Sequence, residues 1–460
     1  VIDLPTALRL AEGSNPRLGL SREAVREALA QYQGAKVLML PDLNAGTNYH
    51  LHNGALQTSF GLIRSLDEQS IYVGGGARTL AAETVAIPAV RIFGHVGDAI
   101  FLPLAARQEM SARSSEATAT ETLVLLDVAT RYLQLAGADS RIDAWKQSEA
   151  EANEIARTTE AFVLAGQGRD GDFKRARTDA LLFRIKRQGA EAEATVASNQ
   201  LARLLRLDPA VRLTTQRAPI EIVVLVDPQT SVEALVEMAM RRRWELAARA
   251  AQISAADQRY RLERTRPLFP LIYVGFSAGG FGGGSNQQSL GVPSLMQTFS
   301  GRDDFDVMAV WTLQNMGAGN LATARERRVE RDALFGARAQ TAAMVRREVV
   351  STHAEVVAAR RHIDVADVQL VTALRGAQEE MIRTRGGQGL PIEALNSIKL
   401  LAQARQDAIN AVVDYNVAEF GLFAAVGEIP NSRTPDPIAP RGAVEQVPVP
   451  PPAREALPAP

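Results

Sequence analysis

The sequence predicts an α plus transmembrane β fold: long antiparallel coiled-coil helices, able to wall an α-barrel, with four strands per chain. Three observations predict it. No proline lies between Pro103 and Pro209 or between Pro293 and Pro391, and both stretches are rich in Ala, Leu, Glu, Arg and Gln, which favour helix. Short segments of period two precede them. The whole pattern occurs twice, which reads as an internal repeat. One copy has Pro41, a strand-like segment and Gly166-Gln167-Gly168; the other has Pro270, a strand-like segment and Gly387-Gln388-Gly389.

The chain opens on short helices. Asp3 before Leu4-Pro5 and Asn15 before Pro16 are helix caps, with proline placed where its missing N–H costs nothing. In the second copy Thr230 and Glu233 have capping-box spacing. The first strand, about 42–53, carries Leu43, Ala45, Thr47, Tyr49 and Leu51 on one face. Asn44, Gly46, Asn48, His50 and His52 lie on the other. One apolar and one polar face suit a half-buried sheet, or a barrel with lipid outside and water inside. The remaining strands are placed at about 89–102, 271–279 and 304–313. The stretch 53–89 is long for a loop between strands, so an enlarged loop or plug is expected, with 70–73 as a short extra strand.

The helices follow. Val128, Tyr132 and Leu135 fall at helical spacing, as do Ile142, Trp145, Ala152, Ile155 and Phe162. A helix of about 60 residues would be roughly 90 Å long and must pack against others of its kind. The expected division is 1–215 for the first repeat, with a hairpin tip near 166–172, and 216–429 for the second, with a tip near 386–393. A proline-rich tail at 430–460 lacks large apolar side chains and is expected to be extended or disordered.

Composition excludes several classes. A net charge of −1 gives no electrostatic case for nucleic acid. The chain has no cysteine, hence no disulfide framework or thiolate chemistry. No run of about 18 apolar residues predicts a spanning helix, but a spanning strand needs only about 9–11 residues. Val1 begins directly on what reads as folded sequence, so any signal peptide is expected to have been removed. No cofactor or catalytic triad is indicated. Four strands cannot close a membrane barrel, which starts at about eight, so several chains must share one; three chains would give a 12-stranded barrel.

Several segments together resemble the TolC-type outer-membrane efflux channel family over about residues 3–427. Asp3-Leu4-Pro5-Thr6-Ala7-Leu8 with Ala11-Glu12 and Asn15-Pro16 resembles its opening helices. Ala35-Lys36 and Leu40-Pro41-Asp42-Leu43 resemble the approach to its first strand. Gly166-Gln167-Gly168 with Asp172-Phe173-Lys174-Arg175-Ala176, and Gly387-Gln388-Gly389 with Glu393-Ala394-Leu395-Asn396, resemble its two hairpin tips. The resemblance implies a homotrimer in the bacterial outer membrane that extends into the periplasm. It would be an exit duct for efflux or type I secretion and not an enzyme. It would meet a periplasmic adaptor and, through that, an inner-membrane transporter.

By position, the resemblance puts Glu393 and Asn396 at the periplasmic pore constriction. Asn396 departs from the acidic pattern, so a single Glu393 ring is the expectation. Glu393 also stands in a first helical turn after Pro391, where it would complement the helix dipole. The adaptor-contact tips would comprise Gly166, Gln167, Gly168, Asp172, Gly387, Gln388, Gly389 and Leu390. Glycine at such turns supplies positive φ and close approach. Other features read more plainly. His50 and His52 are polar lumen residues rather than a metal pair, for want of a third ligand. The glycines around Phe281 form a flexible exposed loop, and Arg241-Arg242-Arg243-Trp244 is a solvated or interfacial basic cluster. The alternative is a soluble coiled-coil scaffold with a small β cap.

Overall fold

The computed structural model describes residues 1–57, 60–78, 84–208, 210–216, 219–285 and 298–438. Its elements run α1 (Leu4–Ser14), α2 (Pro16–Lys36), β1 (Asp42–Leu43), β2 (Ala45–Gln57), β3 (Ile63–Ala77), β4 (Ile87–Pro88) and β5 (Val90–His95). Then come α3 (Val96–Leu164), α4 (Asp170–Leu204), α5 (Val232–Arg242), α6 (Trp244–Thr265), β6 (Leu271–Ser285), β7 (Thr298–Val310), α7 (Ala318–Arg385) and α8 (Pro391–Ala425). Helices α3 and α7 have 69 and 68 residues, or about 100 Å each at 1.5 Å per residue. No described helix is long and apolar enough to cross a membrane.

The chain forms two compact units. One comprises Glu23–Ser115 and Ala247–Ala339, the other Val1–Arg22, Glu116–Leu246 and the described part of Gln340–Pro460.

The first unit holds an antiparallel sheet. β3 pairs with β2 on one edge and with β6 on the other, and β6 pairs with β7. β5 continues along the β6 edge below β3, and β1 pairs with β5. The sheet is thus four strands wide, β2–β3–β6–β7. Among the described residues, β2 and β7 each have one edge without a strand partner.

The strand positions correct the sequence reading in four places. The strand that returns beside β2 is β3, not 89–102; within 89–102 only 90–95 is strand, and α3 starts at Val96. The apolar run Ile100-Phe101-Leu102 ending at Pro103 imitates a strand end. Pro103 instead sits early in α3, where one lost backbone bond is tolerated. The supposed loop or plug at 53–89 is largely strand, and 70–73 lies inside β3; residues 58–59 and 79–83 fall outside the described residues. β2 runs past 53 to Gln57, and β7 spans 298–310 rather than 304–313.

The fourth correction is the glycine segment after Ala278, which is strand β6 to Ser285 rather than a flexible loop. Glycine weakens a strand because it packs nothing. Here neighbouring rings supply the missing contact. A Cβ on Gly279 would lie 2.7 Å from the Tyr72 hydroxyl oxygen, and on Gly280 or Gly282 2.5 Å from the Phe299 ring. The glycines are the slots in which these rings lie.

The second unit is helical. Its main core joins Leu4, Leu8 and Ala11 of α1 to Val128, Tyr132 and Leu135 of α3, Leu201 of α4 and Phe420 of α8. Each buried side chain of this size contributes about 1.5–3 kcal/mol. Asp3 caps α1 through Thr6 N–H at 2.8 Å, and the Asn15 side chain accepts from Arg17 N–H at 2.9 Å. The cap of α5 is Ser231, which accepts from Ala234 N–H, rather than Thr230.

The tail reading needs correction at its start. Residues 430–438 are packed: Ile438 is buried in the main core. Asp436 accepts hydrogen bonds from Leu4 N–H at 2.9 Å and from the Tyr132 hydroxyl at 3.1 Å. Burial, and then the Asp436 charge, push the Tyr132 phenol far up. Residues 439–460 lie outside the described residues.

The basic cluster is also not a solvated one. Arg243, only 10% exposed, pairs with Glu245 and Glu348 at 2.9 Å. It also donates to the Ala425 carbonyl, at the C-terminal end of α8, where a cation is favoured. Arg242 pairs with Glu428 and Arg241 with Glu237.

Candidate functional site

The sheet faces follow from register, because directly paired residues share a face. Tyr49 opposes Ile71, Thr47 opposes Val73, Val274 opposes Val307, and Phe276 opposes Phe305. This is the exposed face: Phe299, Phe305 and Val307 are 62%, 69% and 64% exposed. The other face carries Asn48, His50, His52, Ser70, Tyr72, Ser277, Arg302, Asp304 and Asp306, all buried or half-buried. Arg302 there pairs with Asp304 at 2.9 Å and lies over the Phe281 ring. The usual arrangement of a water-soluble sheet is inverted: the apolar face is outside and the polar face inside. Lipid outside and water within give such an inversion. His50 and His52 lie on the polar face, and among the described residues no group of three potential ligands could hold a metal ion.

The two tips are built alike. At the end of α3, Gly166 has φ +74 and its N–H bonds the Val163 carbonyl, while Gln167 N–H bonds Phe162 at 2.9 Å. At the end of α7, Gly387 has φ +71 and bonds Thr384, while Gln388 N–H bonds Arg383 at 2.9 Å. Both are Schellman closures, in which a left-handed residue lets the last carbonyls be satisfied. The second glycine acts by space: a Cβ on Gly168 would sit 3.0 Å from Val163 N, and one on Gly389 3.1 Å from Thr384 N.

Asp172 stands in the first turn of α4, its N–H bonded to Arg169. Gln167, Gln388 and Leu390 are exposed. Glu393 is the third residue of α8, and its carboxylate accepts from Leu390 N–H at 3.5 Å, the helix-start role. Glu393 and Asn396 are both exposed on one face of α8, opposite Ala394, Leu395 and Ile398, which are buried.

The ends of the two hairpins pack together. Ile155 of α3, Phe183 of α4 and Leu395 and Ile398 of α8 share one core, with Met381 of α7 against it. Ion pairs tie the same helices: Arg405 to Glu151 at 2.7 Å, Lys399 to Asp179 at 2.8 Å, and Arg385 to Glu154. Sequence reading missed these pairs, since residues so far apart carry no periodic signal. It also missed Glu419, buried in α8, which accepts from Leu225 and Val226 N–H at 2.7 and 2.8 Å. One turn earlier Asn416 accepts from Val223 N–H and donates to the Glu221 carbonyl.

No protein-family model and no curated protein sequence matches the chain. Solved structures do. The outer-membrane channel OprN is 17% identical with a TM-score of 0.70, over 92% of this chain and 89% of that one. CusC, described as forming a transmembrane channel, is 17% identical with a TM-score of 0.71, over 93% and 92%. The MtrE outer-membrane channel of Neisseria gonorrhoeae, in its open state, is 18% identical with a TM-score of 0.69, over 94% and 91%. The chain has the TolC-type outer-membrane channel fold. In a TolC-type fold the four-stranded sheet and the two helical hairpins of this chain are its complete complement of long elements, since the match spans nearly all of both partners.

Proposed function

We propose that the chain is one protomer of a homotrimeric outer-membrane exit duct serving efflux or type I secretion. A periplasmic adaptor and an inner-membrane transporter would feed it. The observation that carries this is the inverted sheet: an apolar face turned outward, a polar face inward, and unpaired edges on β2 and β7. An open edge in lipid leaves backbone groups unsatisfied, so the edges call for further copies. Three copies supply the 12 strands of a shared barrel, and the like-built tips fit a duplicated ancestral unit. The helices would continue the duct into the periplasm as an α-barrel.

In this reading Glu393 and Asn396 face the axis and the three Glu393 carboxylates form a cation-favouring ring. The tips, with Gly166, Gln167, Gly168, Asp172, Gly387, Gln388, Gly389 and Leu390, meet the adaptor. A soluble scaffold would not leave phenylalanines on the open face of its sheet. Imaging of the detergent-extracted protein tests the reading. Threefold tubular particles with a short barrel at one end are expected. Compact particles or thin solid rods that stay in solution without detergent would overturn it.

A further inference from the structure

The chain leaves β7 through a turn whose backbone is disfavoured. Asn315, Met316 and Gly317 all lie in the left-handed region, with φ of 49, 57 and 90. Glycine adopts this region freely and asparagine tolerates it; methionine does not. The conformation lifts Met316 to 98% exposure, with Trp311 at 60% and Leu313 at 65% beside it in sequence.

The turn is held in place. Gln314 N–H donates to the side chain of Asn320 at 2.8 Å, and Asn320 is buried in the first turn of α7. Gly319 admits the close pass, since a Cβ there would lie 3.1 Å from the Gln314 carbonyl. A fixed, disfavoured turn that exposes three large apolar side chains needs an occupant.

Position indicates which. Phe299, Phe305 and Val307 lie on the outward face of β7, and Trp311 and Leu313 continue the same parity. A membrane strand needs about 9–11 residues to cross. Counted from Phe299, that span ends at about Ala309, so the turn falls where the hydrocarbon gives way to headgroups. Tryptophan is favoured at that depth, and the flexible methionine side chain fits disordered chains.

We propose that 311–316 is a membrane-interface anchor, with Trp311, Leu313 and Met316 inserted at the boundary between phospholipid headgroups and acyl chains. The inference rests on the outward apolar sheet face being the lipid-facing surface of a barrel. The anchor fixes the depth of the sheet by opposing movement away from the bilayer at the end where α7 begins.

Single-tryptophan full-length protein, reconstituted in phosphatidylcholine vesicles, tests it. Trp145 and Trp244 are changed to Phe, leaving Trp311; a second protein also carries Trp311→Phe and Met316→Trp. A third, with Trp311→Phe and Phe305→Trp, reports on the sheet itself. Lipids brominated near the ester carbonyls should quench Trp311 and the tryptophan at 316 at least twofold more than lipids brominated at the chain ends. The order should reverse at 305.

Quenching at 305 by chain-end bromines with none at 311 or 316 by either lipid overturns the anchor and leaves the barrel. In that case iodide access would mean water covers the turn, and protection from iodide would mean a second copy does. Absence of lipid quenching at all three positions overturns both readings. Met316→Asn, which suits a left-handed backbone, keeps the fold and should weaken retention of the protein in vesicles under alkaline washing. Unchanged retention also counts against the anchor.

Discussion

Glu419 offers a test of how the extended segment 221–226 is held against α8. The carboxylate is 1% exposed and accepts two backbone N–H groups at 2.7 and 2.8 Å, from Leu225 and Val226. Burial raises its pKa above the ordinary 4.5, and the two amides only partly offset this. Glu419→Ala orphans both amides. A buried unsatisfied group costs about 1–3 kcal/mol; Leu225 and Val226 are half-buried, so the lower end applies, about 2–3 kcal/mol in total. That corresponds to roughly 30- to 140-fold faster hydrogen exchange at these two amides if they exchange by local opening. Glu419→Gln keeps an acceptor oxygen and removes the buried charge, so its cost should stay within about 1 kcal/mol.

The pH dependence has a definite sign. A carboxylate whose folded pKa is raised binds its proton more tightly when folded, so its contribution is fully present below about 4.5. It is lost as pH rises through the folded value. The wild-type segment should therefore loosen relative to Glu419→Gln as pH rises from that point, then level off. Mass-spectrometric exchange on the peptide containing 221–226 measures both effects. If Glu419→Gln loosens the segment as much as Glu419→Ala, or if neither does, the two hydrogen bonds are not what holds it.

Two further outcomes are expected. Gly387→Ala meets no atom within 4 Å, so its cost is purely backbone, about 1–2 kcal/mol for a side chain in the left-handed region. Gln388 N–H should exchange about 5- to 30-fold faster, with Gly387→Asn in between; a silent Ala variant would mean that the tip closes in another conformation. Glu393→Gln should lower the preference for cations in planar-bilayer recordings, about twofold or more if three carboxylates share the axis. Identical conductance and selectivity would remove Glu393 from the pore and leave it only its bond to Leu390 N–H.

The legible parts of this chain are those whose signal is local. The alternation at 43–52 is visible because each residue of an edge strand is judged by one face. The tips are visible because Gly-Gln-Gly encodes a left-handed residue followed by a close approach, and both are properties of the turn itself. What escaped was set by residues distant in sequence. Arg405 and Glu151 lie on different hairpins, and no period relates them. The β6 glycines read as a loop because their packing partners, Tyr72 and Phe299, come from other strands.

The same reasoning explains why β3 was overlooked while β2 was not. Outward residues of β3 include Gln69 as well as Ile71 and Val73, and its inward ones include Tyr72, which is fully buried. Polarity alone therefore does not alternate along β3, although its faces are as distinct as those of β2. Gln69 is accommodated outside because the Tyr49 hydroxyl donates to its side-chain oxygen at 2.9 Å. Tyr72 is accommodated inside because its hydroxyl donates to the Gly75 carbonyl at 2.6 Å while its ring fills the space above Gly279. Each exception to the alternation is thus a polar group whose hydrogen bond is made within the sheet. In an inverted sheet the informative pattern is which side chains find partners, and polarity along one strand reports it only where the neighbours are simple.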